Sequence, residues 1–284
     1  MNIITSAAEM QSYARQARLL KEIIGLVPTM GSLHEGHLSL IERAKQSCSV
    51  VITSVFVNPT QFAPNEDFAR YPRNVDRDAE LCRSAGSTVL FVPHENEMYP
   101  EGFSTYITVD RLSSIMEGKF RPTHFRGVAT IVAKLLLLTI PHQAVFGQKD
   151  AQQCAVVKKM VRDLGFDVEI IIAPIVREQD GLAMSSRNIY LSAQERLEAP
   201  VLSAALRHGE VIIGKGERDS GTIIVELTRL IKTKPTATID YVELVDAESL
   251  VSIKKVESGI PVLIALAVRF GTTRLIDNTI VMAH

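Results

Sequence analysis

The sequence predicts an α/β protein, with a Rossmann-like, doubly wound parallel sheet domain followed by a smaller α+β domain. Apolar runs of strand type alternate with stretches of helical spacing through the first part of the chain. The run Val50–Val57, VVITSVFV, is typical of a parallel strand buried on both faces. After Arg177 a polar segment without helix or strand period separates this pattern from a different one. We therefore predict domains at 1–176 and 177–284, the second closing over a cleft of the first.

The elements of the first domain follow from local signals. The capping-box pattern of Ser6 and Glu9 predicts a helix to about Lys21. Asn74 predicts the start of another helix, and Gly86 its end. The remaining predictions are strands at Ile23–Val27, Val50–Val57, Thr88–Val92, Tyr106–Val109, Ala144–Phe146 and Val168–Val176, and helices from His37 to about Gln46, near Leu112–Met116, at Gly127–Leu138 and at Ala151–Leu164.

The second domain is predicted from a second capping box and a hairpin signal. Ser192 and Glu195 form the capping box that opens two helices. Gly271 separates the last two strand-like runs, which indicates a hairpin. The predicted elements are helices at Ala193–Ile213 and Ser220–Ile231, and strands at Ile239–Val245, Pro261–Phe270 and Arg274–Met282.

Composition excludes several classes of function. The chain has 284 residues, 46% of them hydrophobic, which suits a globular protein with a sizeable core. Its formal net charge of −1 creates no electrostatic field that would attract nucleic acid or an anionic membrane surface. Cys48, Cys82 and Cys154 form no metal or redox motif, so we expect reduced thiols. No signal peptide or membrane-spanning run is recognised, and we expect a cytoplasmic protein without membrane partners.

The stretch Ile23–Leu40, IIGLVPTMGSLHEGHLSL, is laid out as strand, glycine-containing turn and helix. Such a turn directs backbone N–H groups and the positive end of a helix dipole at an anion. His34 and His37 share one face of the helix start and could donate to a triphosphate and to charge that develops on phosphorus. The alternatives are ordinary surface or packing histidines, or half of a zinc site. No cysteine or carboxylate nearby completes such a site, so we predict no metal bound by the protein.

Four polar clusters follow predicted strands: His34 with His37, Asn58 with Gln61, Gly147–Asp150, and Met184–Arg187. Because the carboxyl ends of parallel strands lie on one edge, we expect these clusters to meet in one cleft. Lys149 suits phosphate as a point charge, although most lysines are simply solvated. The hydroxyls and guanidinium at 185–187 suit a phosphate clamp, and the alternative is a turn that links the domains.

Neutral amides indicate a second kind of ligand. Asn58, Gln61 and Gln153 can each donate and accept hydrogen bonds, which suits a substrate with hydroxyls and one carboxylate. The alternative for each is an ordinary amide of a loop or helix surface, and for Gln153 the two interpretations are about even. Arg121, with nearby His124 and Arg126, adds positive charge for a phosphate or for a subunit contact.

The sequence motifs resemble those of the pantothenate synthetase family, in the same order over nearly the whole chain: LVPTMGSLHEGH, FVNPTQF, RPTHFRGV, VFGQKDAQQ and AMSSRNIYLS. The His-x-Gly-His element is shared with the wider nucleotidyltransferase superfamily, which includes class I aminoacyl-tRNA synthetases. That superfamily often carries a Lys-Met-Ser-Lys-Ser loop. Here Met184-Ser185-Ser186-Arg187 stands at the corresponding place, which favours the pantothenate synthetases over a synthetase fragment.

The resemblance implies a ligase with ATP as substrate and Mg²⁺ accompanying it. (R)-Pantoate and ATP would form an enzyme-bound pantoyl adenylate and diphosphate, and β-alanine would then give pantothenate and AMP. It also implies a homodimer built through the sheet domain. An adenylyltransferase acting on a phosphorylated acceptor, and a nucleotide sensor without catalysis, remain alternatives.

The resemblance also implies roles for particular residues. His37 matches the proposed proton donor, and we take His34 and Lys149 as its catalytic partners. Gln61 and Gln153 match pantoate contacts, to which we add Asn58, and Gln61 would also face β-alanine. The implied ATP contacts are Met30, Gly31, Ser32, Leu33, His34, Glu35, Gly36, His37, Gly147, Gln148, Lys149, Asp150, Val176, Met184, Ser185, Ser186 and Arg187.

Overall fold

The structure, a computed structural model, describes residues 1–64 and 66–283. The chain forms two compact units. We call residues 1–147 with 152–174 the sheet unit, and residues 148–151 with 175–284 the C-terminal unit. Among the described residues, no helix has both the length and the apolar character required to cross a membrane.

Six parallel strands form the sheet of the first unit, in the spatial order β1-β4-β3-β2-β5-β6. Chain order runs outward from β2 to β3 and β4, then returns to the other side of β2 with β5 and β6. The turn after β2 therefore leaves the sheet where strand order reverses, the position at which such sheets bind ligands. The strands are β1 Asn2–Ile4, β2 Ile24–Thr29, β3 Val50–Val55, β4 Val89–Phe91, β5 Gln143–Gly147 and β6 Glu169–Ala173.

Successive side chains of each strand point to opposite faces of the sheet. The sheet therefore has two hydrophobic cores, one on each face. On β3, Val50 and Ile52 pack into one core and Val51 into the other. The first core receives α1, α6 and α7, and the second receives α2 and α3. This two-sided burial explains the continuous apolar runs of the sequence. The helices are α1 Ala7–Leu19, α2 Glu35–Lys45, α3 Val75–Ala85, α4 Glu95–Met98, α5 Glu117–Phe120, α6 His124–Thr139 and α7 Ala151–Leu164.

The C-terminal unit packs helices against an antiparallel sheet of order β7-β8-β9. Both sequence signals for this unit are confirmed. Ser192 and Glu195 make the reciprocal bonds of a capping box, and Gly271, at φ 55°, lies in the turn between β8 and β9. The elements are α8 Ala193–Glu198, α9 Val201–Gly214, α10 Ser220–Ile231, β7 Ala237–Asp246, β8 Pro261–Phe270 and β9 Thr273–Met282.

Proline accounts for two differences from the predicted elements. The helix predicted at Ala193–Ile213 is wrong: Pro200, which has no N–H to donate, separates α8 from α9. The strand predicted to reach Val176 ends at Ala173, directly before Pro174.

The irregular region before α6 accounts for other errors. The strand predicted at Tyr106–Val109 is wrong, because the Ile107 N–H donates to Thr130 Oγ1 of α6 at 3.0 Å rather than to a neighbouring strand. The helix predicted near Leu112–Met116 is a series of turns, and the helical turn comes later as α5. The edge strand β1 was not predicted, because its three residues are too few to show a period.

Residues 148–151 were predicted within the first domain, whereas the structure groups them with the C-terminal unit. The Asn278 Nδ2 group of β9 donates to the carbonyls of Gln148 and Lys149, at 3.0 and 2.9 Å. These bonds attach the short segment to the C-terminal sheet. The predicted division near residue 177, and closure of one domain over the other, stay predictions.

We expect Gly127→Ala to lower the free energy of unfolding by about 1–3 kcal/mol, as overpacking of a core does. Alanine usually favours a helix, but here its methyl would lie 2.5 Å from the Thr60 carbonyl oxygen and 2.6 Å from the Gln61 nitrogen. Urea denaturation measures the change. The control is Gly214→Ala at the end of α9, where an added Cβ meets nothing within 4 Å. Equal stability of the two variants would contradict the close approach at Gly127.

Candidate active site

The turn between β2 and α2 wraps around a buried carboxylate. Gly31 and Ser32 are both left-handed, at φ 81° and 53°. Asp78 of α3, only 1% exposed, accepts hydrogen bonds from the N–H groups of Ser32 (2.9 Å) and Leu33 (2.8 Å). A Cβ on Gly31 would lie 2.9 Å from the same carboxylate. The carboxylate therefore fixes the turn that carries the two histidines, and glycine is needed to let it approach.

The two histidines cap α2 reciprocally. His34 Nδ1 accepts the Gly36 N–H at 3.2 Å, and His37 Nδ1 accepts the His34 N–H at 3.4 Å. The rings lie 4.1 Å apart, centroid to centroid. A neutral imidazole that accepts at Nδ1 carries its proton on Nε2. The cap therefore leaves both rings with Nε2–H as the donor, at the positive end of the α2 dipole.

The sequence predicted that backbone N–H groups of this turn would face an anion, but most of them bind groups within the protein. Gly31 donates to Thr29 Oγ1, His37 donates to the His34 carbonyl, and the N–H groups of Ser32, Leu33, His34 and Gly36 have the partners given above. These bonds are internal to the protein, so imidazole Nε2–H groups, with the helix dipole, provide the positive potential. The Leu33 side chain lies in the core and its N–H is bonded to Asp78, so its carbonyl is the group able to meet a ligand.

In the second polar cluster, Asn58 with Gln61, the Asn58 side chain forms hydrogen bonds within the protein. Its side chain, 1% exposed, donates to Gln61 Oε1 (3.1 Å) and to the Gly127 carbonyl (3.1 Å). Its oxygen accepts from Tyr99 Oη (2.8 Å) and Thr60 Oγ1 (3.0 Å). Because both donors and both lone pairs are used, we correct the assignment of Asn58 as a pantoate contact: it orients Gln61 instead.

Gln61 is brought to the histidine turn. Its Nε2 lies 2.7 Å from Met30 Sδ, and sulfur is a weak acceptor that a ligand oxygen can replace. Gln61 therefore lies beside Met30, directly before the turn that carries the two histidines. Gly147 ends β5, which pairs with β2, and Gln153 is half-buried on α7. Its neighbour Gln152 is structural, since it hydrogen-bonds the Glu117 N–H and the carbonyls of Leu112 and Ile115.

A charged network holds the Gln61 backbone. Arg121 makes two bonds to the Glu66 carboxylate, at 2.7 and 2.6 Å. Burial and the Arg121 charge lower the pKa of His124 to about 4, so this ring is neutral and its Nδ1 donates to the Gln61 carbonyl at 3.0 Å. Burial disfavours the charge of Glu66, but the Arg121 guanidinium outweighs it and lowers the pKa. Arg121, His124 and Arg126 were expected to form a positively charged region. In the structure Arg121 is paired with Glu66, His124 is neutral, and Arg126 stacks on Tyr106.

The remaining predicted residues lie in the C-terminal unit. The Met184 N–H donates to the Val176 carbonyl at 3.0 Å, and Arg177 bridges Ala183, so residues 176–184 form a small hairpin. Ser185 begins the 3₁₀ turn Ser186–Tyr190, and its Oγ accepts the Arg187 N–H at 3.2 Å. Gln148, Lys149 and Asp150 form another 3₁₀ turn directly before α7. That all four clusters share one cleft stays a prediction.

Sequence reasoning missed Asp78 and Asn278, although each had a signal. Asp78 lies on the buried face of α3 with Ala79, Cys82 and Ala85, so helical spacing places a charge on an apolar face. Asn278 and Asp277 interrupt an otherwise largely apolar strand pattern. Within residues 1–64 and 66–283, no three His, Cys, Asp or Glu side chains cluster in a way that could hold a metal ion.

Comparisons with known proteins agree over the full length. The family model described as Pantoate-beta-alanine ligase matches residues 2–280. The pantothenate synthetase of Acetivibrio thermocellus is 53% identical over 281 residues, 99% of each chain. The crystal structure of pantothenate synthetase from Thermus thermophilus has a TM-score of 0.91 at 46% identity, covering 98% of this chain and 99% of that one.

A further similar structure is a complex with ligands. It is pantoate-beta-alanine ligase from Francisella tularensis, complexed with beta-gamma ATP and β-alanine. Its TM-score is 0.81 at 36% identity, covering 98% of this chain and 97% of that one.

We expect Asp78→Asn to lower the free energy of unfolding by about 1–3 kcal/mol, the cost of a buried group left without a partner. The amide keeps one oxygen acceptor, so one of the N–H groups of Ser32 and Leu33 faces an NH₂ group instead. Urea denaturation measures the change. The control is Asp76→Asn, exposed on the first turn of α3, for which we expect a change below about 1 kcal/mol. Equal effects at the two sites would contradict the role given to Asp78.

Proposed function

This chain belongs to the pantoate–β-alanine ligase family, and from that premise we propose which of its residues bind the substrates and stabilise the transition state. The reaction is the ATP-dependent condensation of pantoate with β-alanine. The observation that supports the site most directly is the reciprocal capping of α2, in which the Nδ1 atoms of His34 and His37 accept backbone N–H groups.

The chemistry proceeds in two displacements. A carboxylate is a poor electrophile, so a pantoate carboxylate oxygen first attacks the α-phosphorus of ATP. The bond from that phosphorus to the bridging oxygen breaks, and diphosphate leaves with the electron pair. The amine of β-alanine then attacks the acyl carbon, AMP departs, and the amine nitrogen loses a proton. The nucleophiles belong to the substrates, so the protein contributes positioning and charge stabilisation.

We propose that the Nε2–H groups of His34 and His37 stabilise the charge that develops on the α-phosphate. Lys149, with Ser185–Arg187, is assigned to the β and γ phosphates and to diphosphate as it leaves. These residues belong to the full proposed set of ATP contacts: Met30, Gly31, Ser32, Leu33, His34, Glu35, Gly36, His37, Gly147, Gln148, Lys149, Asp150, Val176, Met184, Ser185, Ser186 and Arg187.

Pantoate is assigned to the amides of Gln61 and Gln153. Gln61 is oriented by Asn58, which occupies its oxygen and leaves its NH₂ directed at Met30. That NH₂ can donate to the hydroxyl or carboxylate oxygens of pantoate, and we assign β-alanine to the same residue. A neutral donor suits this place, because a fixed cation would bind the ground-state carboxylate strongly without favouring the transition state.

Mg²⁺ enters the proposal as the companion of ATP. Mg²⁺ commonly keeps several waters and binds substrate phosphates, so we place it on the phosphates of ATP. The proposal includes a homodimer formed through the sheet unit, which sedimentation equilibrium tests. It also includes a cytoplasmic location, where ATP is available to the enzyme.

Product analysis tests the function itself. Purified protein receives ATP, Mg²⁺ and pantoate, with and without β-alanine. With β-alanine, pantothenate, AMP and diphosphate should form in equal amounts, and without it diphosphate should stop at one equivalent per enzyme. ATP left unconsumed, or a product in which AMP stays attached to a phosphorylated acceptor, would overturn the proposal.

We expect His37→Ala to slow adenylation by about 10²–10³-fold, as for the loss of one transition-state donor. His37→Asn is the sharper variant, because Asn Oδ1 can accept the His34 N–H while the Nε2–H donor is lost. Single-turnover quench-flow measures both, and we expect similar losses. His94→Ala, at an exposed histidine, is the control. An adenylation rate near that of wild type in His37→Asn would remove the donor role and leave only capping.

A further inference from the structure

Strand β9 carries two adjacent polar residues that are almost fully buried. Asp277 is 2% exposed and Asn278 is 3% exposed. Adjacent residues of a strand leave it on opposite faces. The pair can therefore hold two different segments of the C-terminal unit, and buried polar groups are kept only where partners satisfy them.

Asn278 holds the segment that bears Lys149. Its two Nδ2 hydrogens go to successive carbonyls, those of Gln148 (3.0 Å) and Lys149 (2.9 Å). Its oxygen accepts from Gln148 Nε2 at 3.3 Å. Fixing two consecutive carbonyls fixes the peptide plane between them, and with it the direction in which the Lys149 side chain leaves the backbone.

Asp277 holds the hairpin that leads to Ser185. Its two oxygens accept from Arg177 Nη1 (2.6 Å) and Nη2 (3.0 Å), a bidentate pair. Arg177 Nη1 also donates to the Gly181 carbonyl at the tip of the hairpin, at 3.0 Å. Asp277 Oδ1 accepts the Asn278 N–H at 2.8 Å, so the two residues are coupled. Burial raises the pKa of Asp277, and the charge of Arg177 opposes this shift.

We propose that Asp277 and Asn278 are positioning residues for the adenylation step, holding from one strand both segments of the C-terminal unit assigned to the ATP phosphates. Asn278 acts through Lys149, and Asp277 acts through Arg177 on Ser185–Arg187. The inference rests on the proposed function of those residues. It adds that the geometry of those residues is set by a single dipeptide, Asp277–Asn278, which begins 90 residues after Arg187 in the chain.

The proposal separates the two half-reactions. The assigned phosphates leave as diphosphate when the adenylate forms, so the second step no longer needs these contacts. A defect in positioning therefore affects ATP use and adenylation, whereas a general loss of structure affects both steps. Misplacement of about 1 Å in a positioned group can cost about 10²-fold in rate.

The test compares Asn278→Ala with Thr279→Val. Thr279 is the next residue of β9, and its hydroxyl donates to Glu210 of α9, so the control also loses one side-chain hydrogen bond of the strand. We expect Asn278→Ala to slow single-turnover adenylation by about 10–100-fold and to raise the KM for ATP. Capture of synthetic pantoyl adenylate by β-alanine should stay within about twofold of wild type. Thr279→Val should leave both steps unchanged.

A double-mutant cycle with Lys149→Ala separates this inference from the proposed function. If Asn278 acts through Lys149, the loss caused by Asn278→Ala should largely disappear in the Lys149→Ala background. Slow adenylation in Lys149→Ala with a normal rate in Asn278→Ala would overturn the positioning role alone. A normal rate in Lys149→Ala would overturn the assignment of Lys149 and the inference with it.

Urea denaturation first establishes that each variant is folded. If Asn278→Ala does not fold, the isosteric Asp277→Asn variant tests the inference through Arg177, which then faces one amide nitrogen in place of a carboxylate oxygen. We expect the same selective loss of adenylation. Equal slowing of adenylation and of adenylate capture in these variants would show a general structural role and contradict the proposal.

Discussion

The start of helix α2 imposes the constraint on which the proposed site depends. The first N–H groups of a helix need acceptors that the helix cannot supply. Here the acceptors are the Nδ1 atoms of His34 and His37, where most proteins use a hydroxyl or carboxylate. An imidazolium carries a proton on both nitrogens and could not accept these bonds. The local folding requirement therefore selects the neutral rings and fixes which nitrogen donates.

Buried polar side chains position the other segments by the same logic. Asp78 holds the left-handed turn before α2, Asn58 orients Gln61, and Asn278 holds the carbonyls beside Lys149. Each side chain is buried and bonded to backbone or amide groups, so moving it would leave polar groups unsatisfied at a cost of about 1–3 kcal/mol each. In the assignment proposed here, residues that meet the substrates are held by residues that do not. Rigid support of this kind is what placement within a fraction of an ångström requires.

Sequence patterns predicted the parts of the fold that depend on local chemistry. Long apolar runs predicted the central strands, and the capping box at Ser192 was visible because its two members lie three residues apart. The errors came where contacts are distant in sequence. Ile107 donates to Thr130 in place of a strand neighbour, and β1 gains its order from pairing with β4. The roles of Asp78 and Asn278 likewise depend on partners 45 and 130 residues away, which no local period reveals.

The proposed donors divide by charge in a way that fits the reaction. Lys149 and Arg187 are cations, and a cation attracts the triphosphate in the ground state as well as in the transition state. Neutral Nε2–H donors bind a ground-state phosphate oxygen less strongly, and their bond strengthens as charge builds during displacement at phosphorus. Only interactions that grow in the transition state accelerate the chemical step. In the proposed assignment, substrate affinity therefore falls to the cations and rate acceleration to the imidazoles that cap α2.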